Sequence, residues 1–299
     1  MSSSVYRELP DGSRASYGGD EFLFVEICEE MSLQTAFRVQ TITGRIRRSW
    51  FPGIVDVAPA NTSYLLHLDP DVVAPAAVMD ALTELHDDGG GADGVITTRI
   101  VEIPVHYDDP WTREVCLRFR AGHQSATGTD LEYTAQVNGF SDPAGLIAAH
   151  TVAPFIVTFP CFKPGNAESF QLVPRDRQLQ APKYLSPRTE TPERAVAHGG
   201  CFTVVYPTGG VGGYQLLGRA AIPVVDLTGS QPGFEDSVVL TPISTLIQFR
   251  AVDRPEYDDI RERVAAGAYA VAEHPVDFSL PAFTEDPAGY ARTLKELLR

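Results

Sequence analysis

The first third of the chain changes its hydrophobic period several times, and each change marks an element. Residues 21–28 alternate, with Phe22 and Phe24 on one face and Leu23 and Val25 on the other. Apolar side chains on both faces predict a strand covered from both sides. Ser32 stands as N-cap to a helix with the stripe Leu33, Ala36 and Phe37, and Phe51-Pro52-Gly53 then turns the chain. Two strands come next, at 54–58 and 62–68. A second helix carries Ala76, Met79 and Leu82 on its apolar face, with Val72 leading in. Pro75, which has no N–H to give, sets the start of regular helix just before it and leaves Asp69-Pro70-Asp71 as the approach. A further strand begins near Val95. The order β-α-β-β-α-β is that of a ferredoxin-like unit, an antiparallel sheet with helices on one face.

The texture then changes. His86-Asp-Asp-Gly-Gly-Gly-Ala-Asp-Gly94 has a flexible composition and sets a boundary between 1–93 and the remainder of the chain. Beyond it, short β-rich runs at 99–107, 155–159, 201–206, 214–217, 221–225, 238–240 and 246–252 alternate with turns containing Gly and Pro. This pattern predicts a barrel or sandwich over 94–254. Two helical stretches, 130–138 and 141–150, interrupt it, the second with Ser141 as cap and Pro143 in its first turn. The segment 255–299 is an extension that ends in a helix from Asp286.

Composition narrows the partners. A formal charge of −15 over 299 residues repels nucleic acid and anionic membrane, both of which require clustered positive charge. No apolar run reaches the roughly 20 residues that span a bilayer, and the opening residues lack a signal core. A soluble, cytoplasmic protein is expected. The four cysteines, Cys28, Cys116, Cys161 and Cys201, form no C-x-x-C pair, and the seven histidines show no helical metal spacing. Reduced thiols and no metal are expected.

Few local motifs carry chemistry. Gly209-Gly-Val-Gly-Gly213 is followed by Tyr-Gln-Leu-Leu, with neither a Lys-Ser/Thr pair nor a helix, so it is not a phosphate loop. It reads equally as a plain turn or as backbone that approaches a carboxylate or carbonyl oxygen. His150, at a helix end, is an acid–base candidate, although a histidine charge suiting the helix C-terminus is the plainer reading; His198 is similar. Arg175, Arg177, Lys183, Arg188 and Arg194 form a basic interval that can hold an anion or simply face solvent. Ser230, Cys161 and Cys201 stand in no nucleophile elbow.

Several segments nevertheless fall in a common order. They are Gly19-Asp20, Phe51-Pro-Gly-Ile-Val-Asp-Val-Ala-Pro59, Ile103-Pro-Val-His-Tyr107, Asp130-Leu131, His150-Thr151, Pro164-Gly165, Ser186-Pro-Arg188, Val205-Tyr-Pro207 and Gly212-Gly-Tyr-Gln-Leu-Leu-Gly-Arg219. The last is similar to the string G-G-W-x-L-I-G-R. The series resembles the family that unites allophanate hydrolase subunit 1 with the B subunit of 5-oxoprolinase and with KipI-type proteins. The resemblance implies an α+β fold, with a small ferredoxin-like domain followed by a cyclophilin-like β-barrel. It also implies a second subunit that completes the active site. Activities in the family are carboxyl transfer from biotin, served by a biotin carboxylase and a biotin carrier protein, or ATP-dependent opening of 5-oxoproline. Some members are described as regulatory binding proteins.

Carried onto this chain, the resemblance makes His150 and Tyr206 the acid–base candidates. Lys163, Arg188 and Arg219 would hold a carboxylate, and Gln215 with the Gly212-Gly213 backbone would orient a carbonyl. The chain also departs from the family pattern. Cys161-Phe-Lys-Pro-Gly-Asn166 replaces G-F-x-P-G-F, Glu193 to Cys201 replaces a V-P-A-G-S-V string, and Val211 replaces a proline. The stretch 111–128 and the tail beyond Arg254 are longer than the family core.

Overall fold

The computed structural model describes residues 6–49, 51–87 and 94–299. Most of the expected linker, 88–93, lies outside the described residues. The chain divides into two compact units, Met1–Val95 and Ile96–Arg299.

The first unit contains β1 (Arg7–Glu8), β2 (Arg14–Gly18), β3 (Phe22–Glu26), α1 (Leu33–Ser49), β4 (Ile54–Pro59), β5 (Ser63–Leu68) and α2 (Pro75–Asp87). Its antiparallel sheet runs β1-β2-β3-β5-β4. Leu23 and Val25 of β3 and Tyr64, Leu66 and Leu68 of β5 share one core with Val39, Ile42 and Ile46 of α1 and Val78, Met79 and Leu82 of α2. Ser32 caps α1, its Oγ accepting the Thr35 N–H at 3.0 Å.

Three expectations need correction here. β3 is buried on one face only: Phe24 is 40% exposed, and Phe22 shelters by stacking on His67, ring centroids 4.9 Å apart. Met79 and Leu82 are buried as the sequence pattern suggests, but Ala76 and Val72 face solvent, and Val78 and Val73 take their places. The strand from Val95 does not join this sheet; β2, arriving in a hairpin from the N-terminal side, takes the place beside β3.

The second unit opens on β6 (Val95–Tyr107), followed by α3 (Pro110–Arg118), α4 (Asp130–Val137) and α5 (Pro143–Thr151). Next come β7 (Phe155–Pro160), β8 (Ala167–Gln171), β9 (Arg188–Thr191), β10 (Ala195–Gly199), β11 (Phe202–Val205), β12 (Gly210–Gly212), β13 (Gln215–Ala220) and β14 (Leu246–Ala251). It closes with α6 (Arg254–Ala265), β15 (Glu273–Ser279), α7 (Leu280–Glu285) and α8 (Pro287–Glu296).

Seven strands form a closed ring, β13-β10-β11-β8-β7-β14-β6, because β13 also pairs with β6; β15 adds to β6, and β9 and β12 make a separate ribbon. The β14–β6 pair is parallel and the other described pairs of the ring are antiparallel. The barrel and small sheet domain have the α+β architecture that the resemblance implies. Val101, Ile103, Phe155, Val157, Ile247 and Phe249 are among the core residues, and Tyr257, Ile260 and Val264 bring α6 into the same core.

The runs at 221–225 and 238–240 meet only in the bridge Val225↔Val239, because tight turns occupy the rest. α5 is capped by Asp142, not Ser141. The long segment after Trp111 contains α3, whose Asp109 cap accepts the N–H groups of Trp111 and Thr112. Among the described residues no helix is long and apolar enough to cross a membrane.

Closure explains one motif glycine. A Cβ on Gly218 would lie 2.6 Å from His106 O and 2.8 Å from Tyr107 Cα, both backbone atoms of the closing strand. Gly218→Ala is therefore expected to cost about 2 kcal/mol by forcing β13 away from β6. Thermal unfolding checks this; an unchanged Tm would show that the closure is slack.

Candidate active site in the barrel

The β7–β8 hairpin ends in a tight turn, in which Cys161 N–H donates to Asn166 O at 3.2 Å and Asn166 N–H donates to Lys163 O at 3.0 Å. Phe162 takes φ 70° there, and Gly165, at φ 80°, leaves the space that Val225 fills. Opposite this turn the β9–β12 ribbon sets Gly212 across from Arg188. A Cβ on Gly212 would stand 2.6 Å from both the Tyr206 hydroxyl and Thr191 Oγ1, so only glycine lets the backbone lie against the phenol. These walls enclose a cavity of about 300 Å³, into which Cys161, Asn166, Glu168, Lys183, Tyr206 and Tyr214 face.

The polar groups of the cavity are coupled. Tyr214 donates its hydroxyl to Glu168, 2.9 and 3.0 Å from the two carboxyl oxygens, and Cys161 Sγ lies 3.3 Å from Oε1. Burial raises the Glu168 pKa, opposed by Tyr214, Cys161 and Lys183. Burial, followed by the Glu168 charge, pushes the Cys161 thiol up to about 12. Burial also raises the Tyr206 phenol, opposed by Arg188 and by the Gly213 and Tyr214 backbone. Asn166 is 3% exposed and its Oδ1 has no hydrogen-bond partner. Lys163 sits at the rim, its Nζ 5.8 Å from the Tyr206 ring centroid and 3.2 Å from Thr208 O, with its pKa lowered by burial.

Behind this wall is a sealed layer. Arg188 is fully buried, donating from Nη2 to Tyr214 O at 2.8 Å and lying over the Tyr184 ring at 4.3 Å. Its Nη1 is 3.6 Å from Asp130 Oδ2. Asp130 also accepts the Leu216 N–H at 2.7 Å and the Tyr184 hydroxyl. Gln215 spends its amide on His123, Gln124 and Pro182 O. Arg188 and Gln215 thus hold the wall from behind and do not reach into the cavity. Cys116, His123 and Asp130 bring ligand atoms within 4.8 Å of one another. The guanidinium beside Asp130 already answers its charge and would repel a metal cation there.

His150 lies elsewhere, in the barrel interior. The acceptor at Leu179 O, 3.1 Å from His198 Nε2, fixes that nitrogen as the donor, so His198 Nδ1 accepts from Thr203 Oγ1 at 2.8 Å. Thr203 then accepts from His150 Nε2 at 3.0 Å, and His150 Nδ1 accepts the Tyr107 hydroxyl at 2.8 Å. Every proton is placed and both imidazoles are neutral; burial lowers both pKa values, that of His198 to about 4. Arg219 is elsewhere again, donating to Glu193 O at 3.1 Å and lying over Trp111 at 5.3 Å, neither of which lines the cavity.

Of the sequence candidates, Tyr206, Gly212 and Gly213 therefore meet at the cavity, with Lys163 at its rim. Sequence reasoning misses Glu168 and Tyr214, and reaches Lys183 only as part of the basic interval. A carboxylate inside the strand Ala-Glu-Ser-Phe-Gln is the available signal. A larger cavity, about 720 Å³, lies beside α5 and α8, lined by Ala148, Ala149, Leu172, Val173, Ala288 and Ala291 among others. Of the residues singled out in the sequence it holds only Arg177 of the basic interval, and the smaller cavity, where perturbed groups converge, is the candidate site.

The profile of the family described as carboxyltransferase domain, subdomain C and D, matches residues 13–235. Urea amidolyase of Saccharomyces cerevisiae is 25% identical over 261 residues, 85% of this chain and 14% of that protein. The chain thus spans about one-seventh of the length of the urea amidolyases it matches. The B subunit of 5-oxoprolinase from Bacillus subtilis is 26% identical over 258 residues, 82% of this chain and 95% of that protein. The crystal structure of Kluyveromyces lactis urea carboxylase superposes with a TM-score of 0.80 over 95% of this chain and 26% of that one, at 21% identity, which shows the shared fold.

Proposed function

Because the chain belongs to the carboxyltransferase domain family, subdomain C and D, we propose that it forms part of a carboxyl-transfer site completed by a second subunit. The group moved passes from carboxybiotin, on a carrier protein charged by a biotin carboxylase, to a small amide, urea-like or ketone acceptor. The observation that carries this reading is the convergence of Tyr206, Glu168, Lys183 and the Gly212-Gly213 backbone on one cavity. Carboxybiotin, when bound, supplies the activated carboxyl group; about 300 Å³ between Phe162, Pro187 and Val204 suits a ureido ring.

The chain's own residues act on the acceptor. Tyr206, kept protonated by burial, donates to an oxygen on which charge develops. Lys163 at the rim attracts a carboxylate. Asn166 Oδ1 accepts an N–H from the acceptor. In the assembled complex Tyr206→Phe is expected to lower kcat about 100-fold with little change in KM. An unchanged kcat would refute the role.

The span of the similarity to the B subunit of 5-oxoprolinase favours a second reading, in which the assembly couples ATP hydrolysis to lactam opening. The glycine run enters strand β12, not a helix N-terminus, so this chain would serve the lactam and not the nucleotide. Activity that survives avidin supports this second reading; activity that avidin abolishes supports the first.

A further inference from the structure

We propose that Cys161 is a nucleophile assisted by Glu168, which gives the cavity an acyl-transfer activity on small amides through a thioester on the sulfur. The reaction uses the same cavity as carboxyl transfer but needs neither biotin nor a second chain, so the two readings fail separately.

Three groups supply the parts. Cys161 Sγ lies 3.3 Å from Glu168 Oε1, within reach of proton transfer. Tyr214 holds the same carboxyl at 2.9 and 3.0 Å, which fixes its orientation toward the sulfur. Lys183 lines the cavity with its Nζ 5.0 Å from the Tyr214 ring centroid, and its charge acts on both Glu168 and Cys161. An ammonium there stabilises the oxyanion that forms when sulfur adds to a carbonyl. A thiol on its own would be no site. The further sign of a ligand is Asn166 in the cavity wall, 3% exposed, whose Nδ2 lies 3.9 Å from Cys161 Sγ while its Oδ1 has no partner.

The chemistry balances without a further reagent. Glu168 takes the thiol proton as Sγ bonds to the carbonyl carbon. The C–N bond then breaks, and Glu168 returns that proton to the departing nitrogen. Water, deprotonated by Glu168, next attacks the thioester, releasing the carboxylic acid and restoring the thiol. A high thiol pKa is compatible with this order, because the proton leaves only during attack, and a carboxylate raised by burial is a better base. The chain's turn also fits, with Phe162 held at φ 70° immediately after the nucleophile.

The test uses the full chain alone with trifluoroacetamide, an activated primary amide, reading ammonia release and the trifluoroacetyl adduct by intact mass. Release above buffer, an adduct mapped to Cys161, and about 100-fold slower release in Glu168→Gln are expected. Wild-type release no faster than buffer, an adduct on Cys28 or a lysine, or Cys161→Ala at the wild-type rate would overturn the proposal. The wild-type pH profile needs no variant. Around Glu168 the facing groups are Cys161, Lys183, Tyr206, Tyr214 and Cys201. Release should rise through one titration above the usual carboxylate range and then level; release that climbs only where free thiols ionise removes Glu168 as base.

Discussion

Replacing Arg188 with alanine is expected to destabilise the second unit by about 3–5 kcal/mol, the range for breaking a buried ion pair from one side. Asp130, 2% exposed, would lose the guanidinium 3.6 Å away, and Tyr214 O would lose its donor at 2.8 Å. Denaturant unfolding of the variant measures this directly, and a loss below about 1 kcal/mol would mean that Asp130 is readily rehydrated. The consequence reaches function. An inactive Arg188→Ala protein would report a collapsed wall, not a lost carboxylate contact, so Arg188 cannot serve as a probe of substrate binding.

Acid should weaken the same unit through its interior. His198 holds a folded pKa of about 4 against an ordinary 6.5, so the unfolded chain takes up its proton first as pH falls. Stability is full above about 6.5, declines as pH falls toward 4, and for this group is flat below that, a total of roughly 3 kcal/mol. His150, also lowered by burial, adds to the decline that begins as pH falls below about 6.5. Glu168 and Asp109, raised by burial, act in the opposite sense. Comparison with His198→Gln, which can still accept from Thr203 and donate to Leu179 O, isolates the histidine. Denaturant unfolding at stepped pH should lose about 1.4 kcal/mol per pH unit of slope in that variant. Identical slopes would mean that His198 titrates normally.

Alternation and capping make much of the fold legible. β6, β7, β14, α4 and the Asp286-capped α8 follow from them, as does the small sheet under two helices. The rest escapes for physical reasons. β8 and β10 bury Glu168, Ser169, Gln171 and His198, whose hydrogen-bond partners, Tyr214 and the Thr203, Ala149 and Leu179 carbonyls, come from other segments, so neither strand reads as apolar. Asp109-Pro110 is a readable start signal for α3 that a long insertion obscures. The site is harder. Cys161 and Glu168 share a hairpin, but Lys183 and Tyr214 arrive from separate segments, and no local spacing announces their meeting. Arg188 and Gln215 look like ligand contacts because their type suits anions and carbonyls; only the structure shows that Gln215 is already hydrogen-bonded and that the Arg188 guanidinium is buried against Tyr214 O and Asp130.

The pairing of β6 has a consequence for how the chain reaches its folded state. β6 is the first barrel strand to be made, yet its ring neighbours β13 and β14 lie beyond residue 214. On the ribosome its edges therefore wait on the order of ten seconds for partners, whereas β3 finds β5 within the same short unit. Such separation makes closure the slow event of folding. It leaves Val-Ile-Thr-Thr-Arg-Ile-Val-Glu-Ile-Pro-Val-His-Tyr open to association with other nascent chains. Pro104, which has no N–H, and the charges of Arg99 and Glu102 interrupt that stretch and keep it from pairing wrongly during the wait.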